Sequence, residues 1–375
     1  MDVTAFDFSQ PLAGTRILLR VSLNVPVENG VITNTYRIRE ALPSIEALAQ
    51  RGARVVVCAH IGRRSTDSLA PVWQVLKKEL TAPIFFANDV VGVDAEKKAA
   101  QLQSGEVLLL ENVRRERGEE KNDFVFAKKL AAFGSVYIND AFADSHRRHA
   151  SIVGVTSFLP HYAGPNVMRE MERLGPAQNP PSPSLAVIGG AKFFTKEPLL
   201  CVLLQRYDAV FVGGAIANDF IAARGLQVGR SLTSGTTNAK DFLTNSKLFL
   251  PVDVEVVGPS GRAFKKVDDI TPEDSVLDIG PETLRTLEPL VHKARFILWN
   301  GPLGNFEKGF SAGTETLVRF IASSKASSVV GGGDTVAAIE RLKLHAHFTH
   351  VSSAGGAMLQ FISDGTLVGL EALKT

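Results

Sequence analysis

Short apolar runs rich in β-branched residues recur along the chain, and each gives way to a polar or glycine-rich cluster. RILLRV (16–21) leads into SLNVP, ARVVVCA (53–59) into HIGRR, EVLLL (106–110) into ENVRRERGEE, and SVYI (135–138) into NDAFADSHRRH. LAVI (185–188) leads into GGAK, AVFV (209–212) into GGAIAND, RFILW (295–299) into NGPLG, and SVV (328–330) into GGGD. Continuous apolar runs of this length predict strands buried on both faces. Helical patterns such as residues 39–52 and 123–134 lie between them. Strand alternating with helix predicts βαβ units and parallel sheets. In such sheets ligands bind beyond the carboxyl ends of the strands, where nearly all of these polar clusters fall.

Residues 161–184 break the pattern with a short helical stretch ending in a Pro/Ser cluster, the signature of a connecting helix and linker. The fold expected is α/β: two doubly wound, parallel-sheet (Rossmann-like) domains facing a cleft and joined by a helix. The boundaries expected are 1–164 for the first domain, 165–184 for the connection and 185–360 for the second. A closing segment spans 361–375.

Composition narrows the function classes. The 375 residues are 45% hydrophobic and 21% charged, with a formal net charge of +2, so global charge points to neither nucleic acid nor membrane. The two cysteines, Cys58 and Cys201, lie among apolar residues and read as buried free thiols in a reducing compartment. No apolar run approaches the ~18–20 residues of a membrane helix. The opening residues carry no basic leader region, so a cytoplasmic protein is expected.

The clusters differ between the halves. Before the linker, Arg20, Arg37, His60, Arg63, Arg64, Arg114, Arg115, Arg117, His146, Arg147, Arg148 and His149 recur at strand ends. Arginine forks suit carboxylate and phosphate, so the set predicts a pocket for a small, multiply charged anion. Pairing with Glu111, Glu116, Glu119 and Glu120 is the plainer account of any one of them. After the linker come Gly189-Gly190-Ala191-Lys192 with Lys196, then Gly213-Gly214, Gly331 to Thr335, and Gly355-Gly356. Bare backbone and helix N-termini suit phosphates, mobile lysines suit a polyphosphate, and Asp334 suits Mg²⁺. Neither a Walker A sequence nor GxGxxG is present. An anion half and a nucleotide half together suggest phosphoryl transfer.

More specific stretches are RVSLNVP (20–26), YRIREALPSIEAL (36–48), AHIGRRS (59–65), LLLENVRRERGEEKND (108–123), YINDAFADSHRRHAS (137–151), GGAKFFTK (189–196), LPVDV (250–254), LDIGP (277–281), WNGPLGNFEKG (299–309), GTETL (313–317), GGGDT (331–335) and HVSSAGGA (350–357). On these the sequence resembles phosphoglycerate kinase over nearly its whole length. The resemblance implies reversible phosphoryl transfer between 1,3-bisphosphoglycerate and ADP with Mg²⁺, giving 3-phosphoglycerate and ATP. It places Ser22, Leu23, Asn24, Arg37, His60, Ile61, Gly62, Arg63, Arg114 and Arg147 at the phosphoglycerate. It places Lys192, Lys196, Gly213, Gly214, Asn300, Glu307, Gly332, Gly333, Asp334, Thr335, Gly355 and Gly356 at the nucleotide, with Asp334 on the metal. Arg37 and Lys192 would neutralise the migrating phosphoryl group. The resemblance also implies a monomer with hinge closure, and a last segment that returns to the first domain.

The chain departs from the family at a few positions. Ser22 stands where RVDFNVP has aspartate, a loss expected to cost ~1.5–3 kcal/mol of binding, roughly one to two decades. Arg64 replaces proline, Arg115-Glu116-Arg117 replace Phe-His-Pro, Asn305 replaces an apolar residue and Ala354 a glycine. Phe193-Phe194 replace a small or β-branched pair. Two competing readings rest on these changes: a non-catalytic binding or scaffold relative, and a kinase for another small acid.

Overall fold

All eight apolar runs form strands, and they belong to two different sheets. The computed structural model describes residues 3–191, 193–194, 196–235 and 238–374. It divides into two compact units, Met1–Glu172 with Thr366–Thr375, and Arg173–Gly365.

The first unit contains β1 (Arg16–Val21), a small hairpin of β2 (Val27–Glu28) and β3 (Val31–Ile32), then β4 (Arg54–Cys58), β5 (Ile84–Phe86), β6 (Val107–Leu109), β7 (Val136–Asp140) and β8 (His161–Ala163). Six of these form one sheet in the order β5-β6-β4-β1-β7-β8, and every pairing in it is parallel. Ile17, Leu18, Leu19, Val55, Val57, Leu108 and Ile138 are buried, which is why these strands read as unbroken apolar runs rather than alternating ones. The chain moves one way from β1 to β4 and the other way to β7, so the sheet has a switch point beside β1. His161 had been expected to begin a helical stretch. It instead starts β8, paired to Tyr137, and the helix runs Pro165–Leu174. Proline suits the first helical turn but holds the residue before it out of helical conformation, so Gly164 ends the extended segment.

The second unit contains β9 (Ser184–Ile188), β10 (Ala209–Val212), β11 (Leu248–Phe249), β12 (Asp253–Gly258), β13 (Gly261–Lys266), β14 (Ser275–Ile279), β15 (Phe296–Asn300), β16 (Ser327–Gly331) and β17 (His350–Ser352). Its main sheet is again parallel throughout, in the order β11-β10-β9-β15-β16-β17. The switch point lies between β9 and β15. A three-stranded antiparallel sheet, β13-β12-β14, is an addition that the apolar runs did not announce. Its β13, GRAFKK, is exposed along nearly its whole length and carries no apolar run.

One expectation about the cysteines is corrected. Cys58 is buried, but Cys201 is exposed. Cys201 lies on the helix Glu197–Arg206, whose buried residues are Leu199, Leu200, Leu203 and Leu204. At 3.6 residues per turn the thiol falls between these and points outward, although leucines flank it in sequence. Among the described residues no helix is long and apolar enough to cross a membrane.

Candidate active site

In the first unit the segments after β1, β4 and β6 bring four of the predicted residues, Asn24, Arg37, Gly62 and Arg114, into one hydrogen-bonded group. Asn24 accepts the Gly62 N–H through Oδ1 at 2.9 Å, and its carbonyl accepts from Arg37 Nη1 at 2.7 Å. Arg114 donates to the Gly62 carbonyl, and its Nε lies 3.5 Å from Glu120. Asn112 binds both the N–H and the carbonyl of Ile61, fixing the turn after His60. Leu23 and Ile61 are buried and serve as the apolar floor of these turns. Arg63 is exposed, with its backbone N–H bonded to Asp67. Arg147 donates through Nε to His146 at 3.2 Å. The plainer account holds for Arg64 and Arg115, which pair with Asp67 at 3.0 Å and Glu111 at 3.3 Å.

A buried polar network lies under this surface. Arg20 is 1% exposed, and its Nη1 meets Asp144 Oδ2 at 3.1 Å. Its Nε donates to Ser151, which donates in turn to buried Glu119 at 2.6 Å. His60 Nδ1 lies 3.4 Å from Asp144 Oδ1 and 3.3 Å from Arg20 Nη2. Ser22 donates its hydroxyl proton to Asp144 Oδ2 at 3.0 Å. Burial works against the charge of Asp144, but His60, Arg20 and Arg37 outweigh it and hold the carboxyl well below its usual range. Burial lowers the His60 pKa below 6.5; Asp144 pulls against this, and Arg20 and Arg114 add to it. Removing either partner of the Arg20–Asp144 pair would strand a charge in the core, at a cost of about 3–5 kcal/mol. His60 Nε2 is buried with no hydrogen-bond partner among the described residues.

In the second unit the polar residues gather at the switch point. The Gly189 N–H donates to the Asn300 carbonyl at 2.9 Å, Gly190 to Pro302 at 3.0 Å, and Gly213 to Ile188 at 2.9 Å. Gly214 donates to Leu303 at 3.1 Å. Lys196 Nζ reaches back over this junction, donating to Gly189 O at 2.7 Å and Asn300 Oδ1 at 2.9 Å. Burial pushes the lysine down to about 8. Gly331 ends β16, Gly332 takes φ +104°, and Gly333 opens the helix Gly333–Arg341. That φ favours glycine. Thr335 Oγ1 and Asn300 Nδ2 are buried and unpartnered among the described residues. Both lie 3.5–3.6 Å from where a Gly332 side chain would begin. A Cβ on Gly355 would stand 3.5 Å from Gly332 Cα, so the start of the helix Gly355–Asp364, with Gly356 behind it, abuts the same loop. Bare amides and unspent polar atoms around one glycine make a cradle suited to phosphate.

Beside the cradle is a cavity of about 560 Å³ lined by Gly190, Gly214, Leu303, Asn305, Glu307 and Asp334. Burial raises the Asp334 carboxyl, and neighbouring Glu307 raises it further. The Asp334 carboxylate beside a phosphate cradle fits Mg²⁺, which takes one or two carboxylates and completes its shell with phosphate oxygens. Among the described residues no group of three or more His, Cys, Asp or Glu forms a self-sufficient metal cage.

The family of these two sites follows from comparison with known proteins. The sequence model of the family described as "Phosphoglycerate kinase" matches residues 7–365. A phosphoglycerate kinase of Methylorubrum extorquens (strain PA1) is 40% identical, with 100% of this chain and 99% of that protein covered. That of Xanthobacter flavus is 39% identical, with 98% of each covered. The chain belongs to the phosphoglycerate kinase family. Solved structures agree: phosphoglycerate kinase from Coxiella burnetii matches with TM-score 0.81 at 38% identity, and that from Pyrococcus horikoshii OT3 with 0.87 at 31%. Each comparison covers 97% of both chains. Phosphoglycerate kinases are phosphotransferases with a carboxyl acceptor. The reaction is reversible phosphoryl transfer between 1,3-bisphosphoglycerate and ADP, giving 3-phosphoglycerate and ATP, a step of glycolysis.

Several departures from the phosphoglycerate kinase pattern now have a physical account. Ala354 has φ −104°, outside the left-handed region, so its β-carbon is tolerated there. Phe193 is buried against Phe220 and Phe242, with ring centroids 5.6 and 6.3 Å away, so it packs against the neighbouring helix Ala215–Ala223. Phe194 is 58% exposed. Asn305 lines the cavity and donates its N–H to Leu277 at 2.7 Å. Lys192 lies outside the described residues. Two residues escaped the sequence reading. Asp144 is an acid among basic neighbours at a strand end, which was a readable signal. Asp278 lines the cavity, is pushed up to about 7 mainly by burial, and accepts the Gly313 N–H at 3.0 Å. Nothing in LDIGP marks that role.

Proposed function

We propose that this chain is a working phosphoglycerate kinase that carries 3-phosphoglycerate on the first unit and Mg-ATP or Mg-ADP on the second. The observation that carries the reading is the cradle of Lys196, Asn300, Gly332 and Thr335 at a topological switch point, where an α/β sheet presents its ligand site. Lys196 and the amides of Gly332 to Thr335 would bind the nucleotide phosphates. Glu307 would accept hydrogen bonds from the ribose, Gly213 and Gly214 would floor the cavity, and Asp334 would hold Mg²⁺. When bound, Mg²⁺ neutralises phosphate charge. In the first unit, Asn24, Arg37, His60, Gly62, Arg63, Arg114 and Arg147 would bind the acid and its phosphate. Arg37 and Lys192 would offset charge on the migrating group, helped by the amides of Gly355 and Gly356. The acceptor carboxylate is already ionised, so positioning and charge neutralisation do the work and no general base is needed.

The family further supports a monomer that closes about a hinge, acting in the cytoplasm on small molecules only. A coupled assay of ATP-dependent phosphorylation of 3-phosphoglycerate with Mg²⁺ tests the reading. Arg37→Ala is expected to lower kcat/KM roughly 100- to 1,000-fold, as loss of a preorganised donor does. Folded wild-type protein that turns over neither substrate pair would leave the non-catalytic reading standing. A preference for a different small acid would favour the other.

A further inference from the structure

The acid half carries a carboxylate in an unexpected place. Ser22, which ends the RVS stretch after β1, offers only a hydroxyl where relatives resembling RVDFNVP offer a carboxylate. Its hydroxyl is already spent on Asp144, 3.0 Å away. Asp144 comes from the loop after β7, and that loop is fixed from both sides. The Arg147 N–H donates to its carbonyl at 3.0 Å, and the Ser145 carbonyl accepts from Gly369 at 2.7 Å. The carboxylate is buried and faces Arg20, His60 and Ser22 at once, with Arg37 and Arg114 close enough to act on this cluster electrostatically. Glu119, another buried acid, is occupied by hydrogen bonds from Ser151 and lies 3.6 Å from His149 Nδ1.

We propose that Asp144 is a positioning residue for the acid substrate, supplying from the β7 loop the negative charge that Ser22 does not supply from β1. Resting on the reading above, this explains how the site keeps its arginines organised despite Ser22. Asp144 holds Arg20 under the floor, fixes the Ser22 hydroxyl, and braces His60 so that its unpartnered Nε2 faces away from the carboxylate. A carboxylate therefore stands within hydrogen-bond distance of Ser22 although Ser22 itself carries none. A carboxylate added at Ser22 would then meet Asp144 at hydrogen-bond distance and would not repair a defect.

The test compares Asp144→Asn, Ser22→Asp and the double variant by steady-state kinetics in both substrates. Asp144→Asn is expected to raise KM for 3-phosphoglycerate by about tenfold or more, the loss of one charge-assisted contact. KM for ATP should stay within about twofold, since the nucleotide groups are separate. Ser22→Asp alone should lower kcat/KM. The double variant should return to within about threefold of wild type, because the two sites are coupled and not additive. Losses that multiply in the double variant, an unchanged KM in Asp144→Asn, or a gain in Ser22→Asp would each overturn the proposal. If Asp144→Asn does not fold, Ser22→Asp still decides by the sign of its effect. Wild-type protein without turnover would defeat the kinase reading instead. The proposal is then decided by NMR titration of the His60 ring, whose pKa should fall in Asp144→Asn and recover in the double variant. No change in either would overturn it.

Discussion

Lys196 shows how a single side chain couples fold and ligand. Its ammonium is held by the Gly189 carbonyl and by the carbonyl and side-chain oxygens of Asn300, and burial lowers it to about 8. The folded pKa is below the ordinary 10.5, so the unfolded chain binds more protons between pH 8 and 10.5. Burying this charge therefore costs stability below pH 8, and that cost fades as pH rises to 10.5. Phosphate on the cradle would favour the charged form and restore the proton. Nucleotide affinity is expected to be flat below pH 8 and to fall above it by up to about tenfold per pH unit. Binding there should take up a proton, seen by calorimetry in buffers of different ionisation heat. Lys196→Met should abolish the uptake; an unaltered uptake would assign it to another group. His60 acts with the same sign, lower on the pH scale. Its lowered pKa means that stability is lost as pH falls below 6.5, when the unfolded chain gains a proton that the folded site resists.

The last helix, Val368–Glu371, belongs to the first unit although it lies at the far end of the chain. Leu367, Leu370 and Leu373 are all buried, each contributing roughly 1.5–3 kcal/mol on docking. Gly369 is the contact point. A β-carbon there would come within 2.7 Å of Ile152 and 2.9 Å of the Ser145 carbonyl. Gly369→Ala is expected to destabilise the first unit by about 1–3 kcal/mol through overpacking. Because Ser145 adjoins Asp144, the variant should also raise KM for 3-phosphoglycerate more than KM for ATP. Chemical denaturation with parallel kinetics checks both; a stable variant with normal kinetics would show that the segment is not seated tightly on the loop.

Two units with separate cores, and with ligands divided as proposed, should respond separately. Mg-ADP is expected to slow amide exchange at the carboxyl ends of β9, β15 and β16, and 3-phosphoglycerate at those of β1 and β4. At a hundredfold excess over Kd each ligand stabilises the state that binds it by about 2.7 kcal/mol. Hydrogen exchange resolved by peptide would show which unit each ligand protects. Nucleotide protection confined to the first unit would sink the assignment of the sites.

The sequence by itself determined the alternation of strand and helix, the parallel sheets and the family. Buried strands must be apolar on both faces and phosphate turns must be glycine, so these demands are written locally. RILLRV and GGGDT carry them within a few residues. The sequence also displayed Arg37, Lys196 and Asp334 as charged groups beside those turns. Contacts between distant segments were settled only in three dimensions. The tertiary structure decided that Arg20 is a buried partner of Asp144 and not part of the surface anion set. It also decided that Ser22 leans on Asp144, that Cys201 faces outward, and that Phe193 packs against Phe220 and Phe242. Each depends on which strand ends lie side by side, and the switch points at β1 and between β9 and β15 set that order. Ser22 and Asp144 are 122 residues apart. Only the parallel pairing of β1 with β7 places a hydroxyl and a carboxylate from those two strand ends within hydrogen-bond distance.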